Sequence, residues 1–535
     1  MRPVRPLIFA LLALLFVLAT CSATSALILP SASAVAPTNV PAPLPTPSVL
    51  PTATAVKVAV PLVGTARPTP TTVPPSPSPA PPAFDVAAQR AALLPAFHAD
   101  LADAAAWDRY TLNLRMDPQA LSVSGTLLVE FTNRATVALD TIYFRLYPNH
   151  PDFGGGLRVD AARVGGQNAP FAAEVAETAL RVGLAQPLAP GASVRIELDF
   201  LARTPRNASD ETFGAFNMEA GVWSIASFYP MLARYSADGQ WDRRAITSRG
   251  DFTVSSVALY DVTIDAPAAW NLVTSGVRID QQPLDGGARR ERYVSGPQRE
   301  FYLGAVQGLD QASTTVDGTR IVTYYQPGNK AGGAASLRAG EDALRAYNAR
   351  YGTYPLAELE IIQAALTNFL GMEYPGAVLI EQRLYATNSR GLLTTVVHEI
   401  GHQWWYSLVG NDAQRDPWLD EGLASYSQIV YFEALGDRVA AEGELDAFRD
   451  TYRRARANGR DAPLNTPPDQ LPGNYVAIVY AKSALFSRPC ALASAMRLLC
   501  HTTALLQGAS LPRGQRYWLA ERCPNQLPLR SAAVL

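Results

Sequence analysis

Cysteine is almost missing from this chain. Its 535 residues include four, Cys21, Cys490, Cys500 and Cys523, with none between residues 22 and 489. No pair has C-x-x-C spacing, so neither a thiolate zinc site nor a dithiol redox site is supported. The body of the chain has no disulfide framework and must stand on its apolar core. An excess of charge is missing too. Lys and Arg number 45 against 47 Asp and Glu, a net charge of −2, and the pI is about 6.3. A nucleic-acid partner, which would call for a basic stripe, is therefore excluded. Charged residues make up only 17% of the chain and hydrophobic ones 48%, enough for a large core. Histidine is scarce, at five, and two of them close together carry information.

Proline is plentiful and unevenly placed. Residues 30–83 hold 16 of the 42 prolines and only two charged residues, Lys57 and Arg67. Such a stretch cannot bury enough apolar surface to offset the entropy of ordering, so 30–83 is expected to be a disordered tether. Before it, Arg2 and Arg5 precede an apolar run over residues 7–19. That run falls short of the roughly 20 residues a membrane span needs, and it reads as an export signal. It ends in L-A-T-C, similar to a bacterial lipobox, although Thr20 stands where Gly, Ala or Ser is usual. Residues 1–29 are thus expected to be a signal segment, with Cys21 as the candidate lipidation site. The folded part is expected at the cell envelope, held to the membrane by a lipid or signal anchor, or else secreted. The oligomeric state leaves no mark in the sequence.

Residues 84–305 read as all-β. Leu121, Val123, Leu127, Val129 and Phe131 alternate with polar residues, as do Ile142, Phe144 and Leu146, then Val194, Ile196, Leu198 and Phe200, then Tyr260, Val262 and Ile264. Period two with one apolar face marks half-buried strands, and many such strands suggest a sandwich. From 306 to 486 the pattern changes. Helical spacing is expected over 338–351, 392–408 and 417–432, and apolar strands over 360–366 and 377–380. That mixture points to an α+β domain.

The chemistry gathers in T-T-V-V-H-E-I-G-H-Q-W-W. His398 and His402 are four apart, on one face of a helix and one turn from each other, with Glu399 beside them. Leu393, Val396, Val397, Ile400 and Trp404 make the rest of that helix apolar and therefore buried. Two buried imidazoles need partners, and one metal ion satisfies both. With five histidines in the chain, chance yields such a motif less than about once in a hundred sequences. A catalytic zinc keeps three protein ligands and an open position. W-L-D-E-G supplies the third candidate, Glu421, after 18 intervening residues from His402. Asp416 and Pro417 read as the N-cap and first-turn proline of its helix. Asp420 is the rival ligand, but it points about 100° away.

H-E-I-G-H followed by W-L-D-E-G resembles the M1 family of zinc metallopeptidases, the membrane alanyl aminopeptidase group. That family has W-L-N-E-G, so Asp420 replaces an asparagine. F-L-G-M-E-Y-P-G at 369–376 is similar to the family's G-x-M-E-N motif. Gly371, Met372 and Glu373 match it, while Tyr374 departs from it and is expected to alter the substrate edge. Y-A-K-S-A at 480–484 resembles Y-x-K-G-A, with Tyr480 lying 59 residues after Glu421. The resemblance implies a β-sandwich leading into a thermolysin-like α+β domain. It implies one Zn2+ on His398, His402 and Glu421, Glu399 as general base, and Tyr480 as oxyanion donor. It also implies that Glu373, with Gly371 and Met372, binds the substrate's amino end, so that peptides lose N-terminal residues. The family's large C-terminal helical domain is expected to be truncated or absent. Residues 487–535 change character and hold three of the four cysteines, the mark of a frameshifted or degenerate end. The alternative is a non-catalytic extracellular β-sandwich binding protein with a degenerate peptidase domain.

Overall fold

The computed structural model describes residues 84–487 except 103–106, 208–212, 248, 388 and 472. The signal segment, Cys21, the tether and the atypical tail beyond Ser487 lie outside the described residues. No helix among the described residues is long and apolar enough to cross a membrane.

The alternating segments form strands. Ser122–Thr132 pairs antiparallel with Asp108–Asp117 on one side and Ser193–Arg203 on the other, within an eight-stranded sheet. The register places Leu127 opposite Leu112 and Leu198, and Val129 opposite Ile196. Their side chains are fully buried, each contributing about 1.5–3 kcal/mol. Along the other face, alternate residues form ion pairs such as Arg195–Glu130 and Arg163–Asp199. Two four-stranded sheets, one containing Leu139–Arg145 and one containing Val222–Ile225, add Ile142, Phe144, Trp223 and Ile225 to the same apolar core.

The sheet changes between Leu303–Val306 and Asp310–Val316. The latter opens a five-stranded sheet in the order Asp310–Val316, Thr319–Tyr325, Glu358–Ala364, Ala377–Glu381, Gly371–Tyr374. Successive residues of its middle strands enter different cores. Val322, Ile362 and Leu379 join the sandwich core. Ile321, Ile361 and Ile380 join a second core with helices α1 (Lys330–Tyr351), α2 (Arg390–Gly401) and α3 (Trp418–Ala434). Both faces are buried, which explains continuous apolar runs where alternation would otherwise stand. A fourth helix, α4 (Arg438–Ala457), packs against α3.

Three local expectations need correction. α1 begins at Lys330, eight residues before the expected start at 338. Gly332 and Gly333 weaken helix propensity there, yet a Cβ on either would strike Tyr385 or the Tyr325 ring, so tight packing decides. α2 ends at Gly401, well short of 408. Beyond it the chain makes wider turns, with the Ser407, Leu408 and Val409 amides bonding to the His402, Gln403 and Trp404 carbonyls. Trp404 and Trp405 keep the apolar spacing but are buried from those turns. Finally, Asp416 does not cap α3; Pro417 holds the cap position and no side chain closes it.

Candidate active site

α2 and α3 pack side by side, and their facing turns bring three side chains to one point. His398 Nε2 lies 3.1 Å from Glu421 Oε2 and 3.1 Å from His402 Nε2, and His402 Nε2 lies 3.4 Å from the same carboxylate oxygen. All three residues are buried. The outer nitrogens are already held. His402 Nδ1 donates to the Trp405 carbonyl at 3.0 Å, and the Gln428 amide sits 3.0 Å from His398 Nδ1. The Gln428 N–H donates to His398 Nδ1, so the proton of that ring lies on Nε2 and faces the Glu421 carboxylate; a cation there would displace it, the Gln428 amide turning to accept from Nδ1. Two imidazoles with one carboxylate form a zinc donor set. The helix spacing survives although His402 stands one residue past the end of α2, because its N–H still bonds to the His398 carbonyl.

Glu399 projects into the same cavity, which measures about 790 Å³. Glu373, Glu399 and His402 form a second close group, their donor atoms within 4.8 Å of one another. With one imidazole and two carboxylates, it is the poorer zinc set. Burial pushes the Glu399 carboxyl up to about 8. Burial also works against a charged His402, but Glu421 outweighs it and raises that ring to about 10. Glu421 itself, although buried, is held down to about 2 by the two histidines. A bound cation would reset this balance in favour of carboxylates and neutral rings.

The strand Gly371–Tyr374 forms the opposite wall. A Cβ on Gly371 would lie 2.1 Å from Glu399 Oε1, so only glycine leaves the carboxyl room. Met372 and Glu373 line the cavity beside it. Tyr374 does not line this cavity. It stacks on Tyr302 at 4.7 Å in the core, which corrects the expectation that it shapes the substrate edge. Tyr480 sits on a wide helical turn, Val476–Lys482, and donates to Glu421 Oε1. Such turns recur at functional sites.

Residues 336–493 match the model for the peptidase family M1 domain. That stretch is similar to an M1 peptidase domain. A puromycin-sensitive aminopeptidase of Caenorhabditis elegans is 27% identical over 258 residues, 43% of this chain and 26% of that one. An aminopeptidase N of Acetobacter pasteurianus is 29% identical over 238 residues, 42% of this chain and 64% of that one. The chain thus spans from about a quarter to under two thirds of these relatives. The M1 zinc metallopeptidase of Deinococcus radiodurans shares the fold, with a TM-score of 0.55 and 21% identity over 79% of this chain and 95% of that one. A mutant of that enzyme has been solved bound to a Tyr-Ser-Ala substrate.

The 336–493 stretch does not build its cavity alone. Gly250, Asp251 and Phe252, from the β-rich part of the chain, line it too. The Asp251 and Glu373 carboxyls stand close enough to affect each other's protonation. Burial raises both acids, Asp251 to about 6 with the Glu421 charge adding to it, and Glu373 well above its usual range with the Asp251 charge adding to it. Glu373 Oε1 and Asp251 Oδ2 are buried without partners among the described residues, as is the Tyr475 hydroxyl. Sequence reasoning missed Asp251, an acid in an irregular segment with no motif. It missed Gln428 as well, although its place one turn of α3 beyond Ala424 and two beyond Glu421 was a usable signal.

Proposed function

We propose that this protein is a zinc-dependent metallopeptidase that releases residues from the free N-terminus of peptides. The observation that carries the reading is the meeting of two imidazole Nε2 atoms and a carboxylate opposite a pair of buried, partly unpartnered acids. The aminopeptidases among its relatives support the same activity.

His398, His402 and Glu421 would hold the zinc ion, with the Trp405 carbonyl and Gln428 fixing the two rings. Bound there, zinc supplies Lewis-acid polarisation of the scissile carbonyl and of a water. Glu399 takes the proton from the attacking water and delivers it to the leaving amine. The space left by Gly371 lets its carboxyl stand where both transfers are within reach. The Tyr480 hydroxyl, now shared with Glu421, is the neutral donor placed for the oxyanion. Burial raises it well above the usual phenol range, so it keeps its proton. Glu373 and Asp251 receive the substrate ammonium. Two carboxyls crowded together are relieved by one cation, which fixes the peptide's register so that one residue is removed per cut.

We further place the protein outside the cytoplasm, at the cell envelope or secreted, on the strength of the 7–19 apolar run, Cys21 and the proline-rich tether. Against the non-catalytic alternative stands a cavity lined by His398, His402, Glu421 and Glu399 together.

The test compares an unblocked peptide with its N-acetylated form and counts zinc by elemental analysis. We expect one zinc per chain and cleavage of the unblocked peptide only. Equal cleavage of both would remove the aminopeptidase assignment; absence of zinc would remove the metallopeptidase one.

A further inference from the structure

The second close group in the cleft, Glu373, Glu399 and His402, shares a ring with the zinc-ligand set but no carboxylate. That ring has nothing further to give. His402 Nε2 faces His398 and Glu421, and its Nδ1 donates to the Trp405 carbonyl. What remains for another ligand is oxygen. Glu373 and Glu399 supply it, and Asp251 lines the same cavity beside them. The charges of Asp251 and Glu399 both bear on Glu373, and that of Asp251 bears on Glu399. Each of the three carboxyls is therefore within electrostatic reach of the other two.

Two observations point to a cation among them. Glu373 is only 4% exposed, yet its Oε1 has no partner among the described residues, and neither has Asp251 Oδ2. Buried oxygens of this kind are costly unless something binds them. The second observation is spacing. Donor atoms of Glu373 and Glu399 lie within 4.8 Å of one another. Two carboxylate oxygens on one zinc ion, each at about 2.0–2.2 Å, stand at most about 4.4 Å apart, a difference that small side-chain rotations close. A substrate ammonium brings one charge to these oxygens. A divalent cation brings two, and carboxylate oxygens ligate zinc as well as harder ions.

We propose that this oxygen group is a second, weaker divalent-cation site, which zinc beyond the first equivalent occupies through Glu373, Glu399 and Asp251. An ion there takes the place of the substrate ammonium and engages the general base, so excess zinc shuts the enzyme that the first zinc activates. The site is the weaker one because it has no imidazole to itself. The proposal rests on the assignment of His398, His402 and Glu421 to the first ion and of Glu373 to the ammonium.

The full chain carrying one zinc is dialysed against stepped, buffered free zinc. Bound zinc is counted by elemental analysis, and rates are measured on an unblocked aminoacyl reporter at the same free zinc. The count is expected to rise from one to two while the rate falls, with inhibition competitive towards the reporter. Glu373→Gln should keep the first zinc, which shows that it folds, and should weaken the second at least tenfold. Asp251→Asn should weaken it less. Excess zinc should raise the Tm of the parent and leave that of Glu373→Gln unmoved. A count that stays at one, a second zinc as tight in Glu373→Gln as in the parent, or a second zinc that leaves the rate intact would each overturn the proposal. The readings beneath it fail by other signs: a first zinc retained in Glu421→Ala, or equal cleavage of blocked and unblocked substrates.

Discussion

His398 and His402 meet the cleft with their outer nitrogens already held by the Gln428 amide and the Trp405 carbonyl, whereas Glu373 and Asp251 meet it with one buried oxygen each left bare. The first wall is preorganised by the protein itself. The second is completed only by what binds there. A metal site must exist before substrate arrives, so its orienting bonds belong to the fold. An ammonium site releases its ligand at every turnover, and a carboxyl pair already neutralised by the protein would have nothing left to offer.

The comparison breaks most completely at Glu421. Glu421→Ala should remove nearly all bound zinc and reduce turnover to background, because two imidazoles alone do not make the site. Full zinc occupancy in that variant, measured by elemental analysis, would end its assignment as a ligand. Glu399→Gln should keep zinc and lose about 10²–10⁴ in kcat, since the amide cannot take up the water's proton. Gly371→Ala should act through the same carboxyl. The added methyl displaces Glu399 while the strand pairing stays intact, so zinc and Tm should hold while kcat falls, by less than in Glu399→Gln. A Gly371→Ala enzyme with parental kcat would show that the carboxyl has slack to spare. Gln428→Ala should weaken zinc by about 10–100-fold through loss of the ring's support, read by competition with a chelator.

The second wall predicts a smaller and more selective effect. Glu373→Ala should lower kcat/KM for free-amine peptides by at least about tenfold, or ~1.4 kcal/mol, with little change for acetylated ones. Asp251→Asn should shift the same ratio in the same direction and to a lesser degree. If either variant loses both substrates equally, that residue supports the fold or the zinc site instead.

The two walls were also unequally legible. The first lies within one stretch of sequence, 398–428, where helix periodicity turns spacing into geometry. Its ligands could be read from residue types alone. Half of the second could be read, because Glu373 stands in a recognisable G-x-M-E segment. Asp251 could not, since its partner is 122 positions away and pairing in space leaves no periodic trace. The strands of the sandwich announced themselves through alternation at Leu121–Phe131 and Val194–Phe200. The five-stranded sheet showed only as short apolar runs, because layers on both faces erase alternation. The start of α1 was hidden by two glycines whose reason is a neighbour, Tyr325 or Tyr385, far along the chain. The early end of α2 was hidden by two tryptophans that keep the helical spacing after the helix has stopped.

The sheet with two buried faces also bears on how this molecule can be cut. A fragment beginning near residue 306 would retain the zinc-ligand helices but strip the cover from Val322, Ile362, Leu366 and Leu379. It would lose Asp251 from the cleft in the same stroke. Such a fragment should accumulate as insoluble material even though every zinc ligand is in it. Supplying residues 84–305 as a separate chain is the rescue to try, since the missing half is a wall of the catalytic room as well as its foundation.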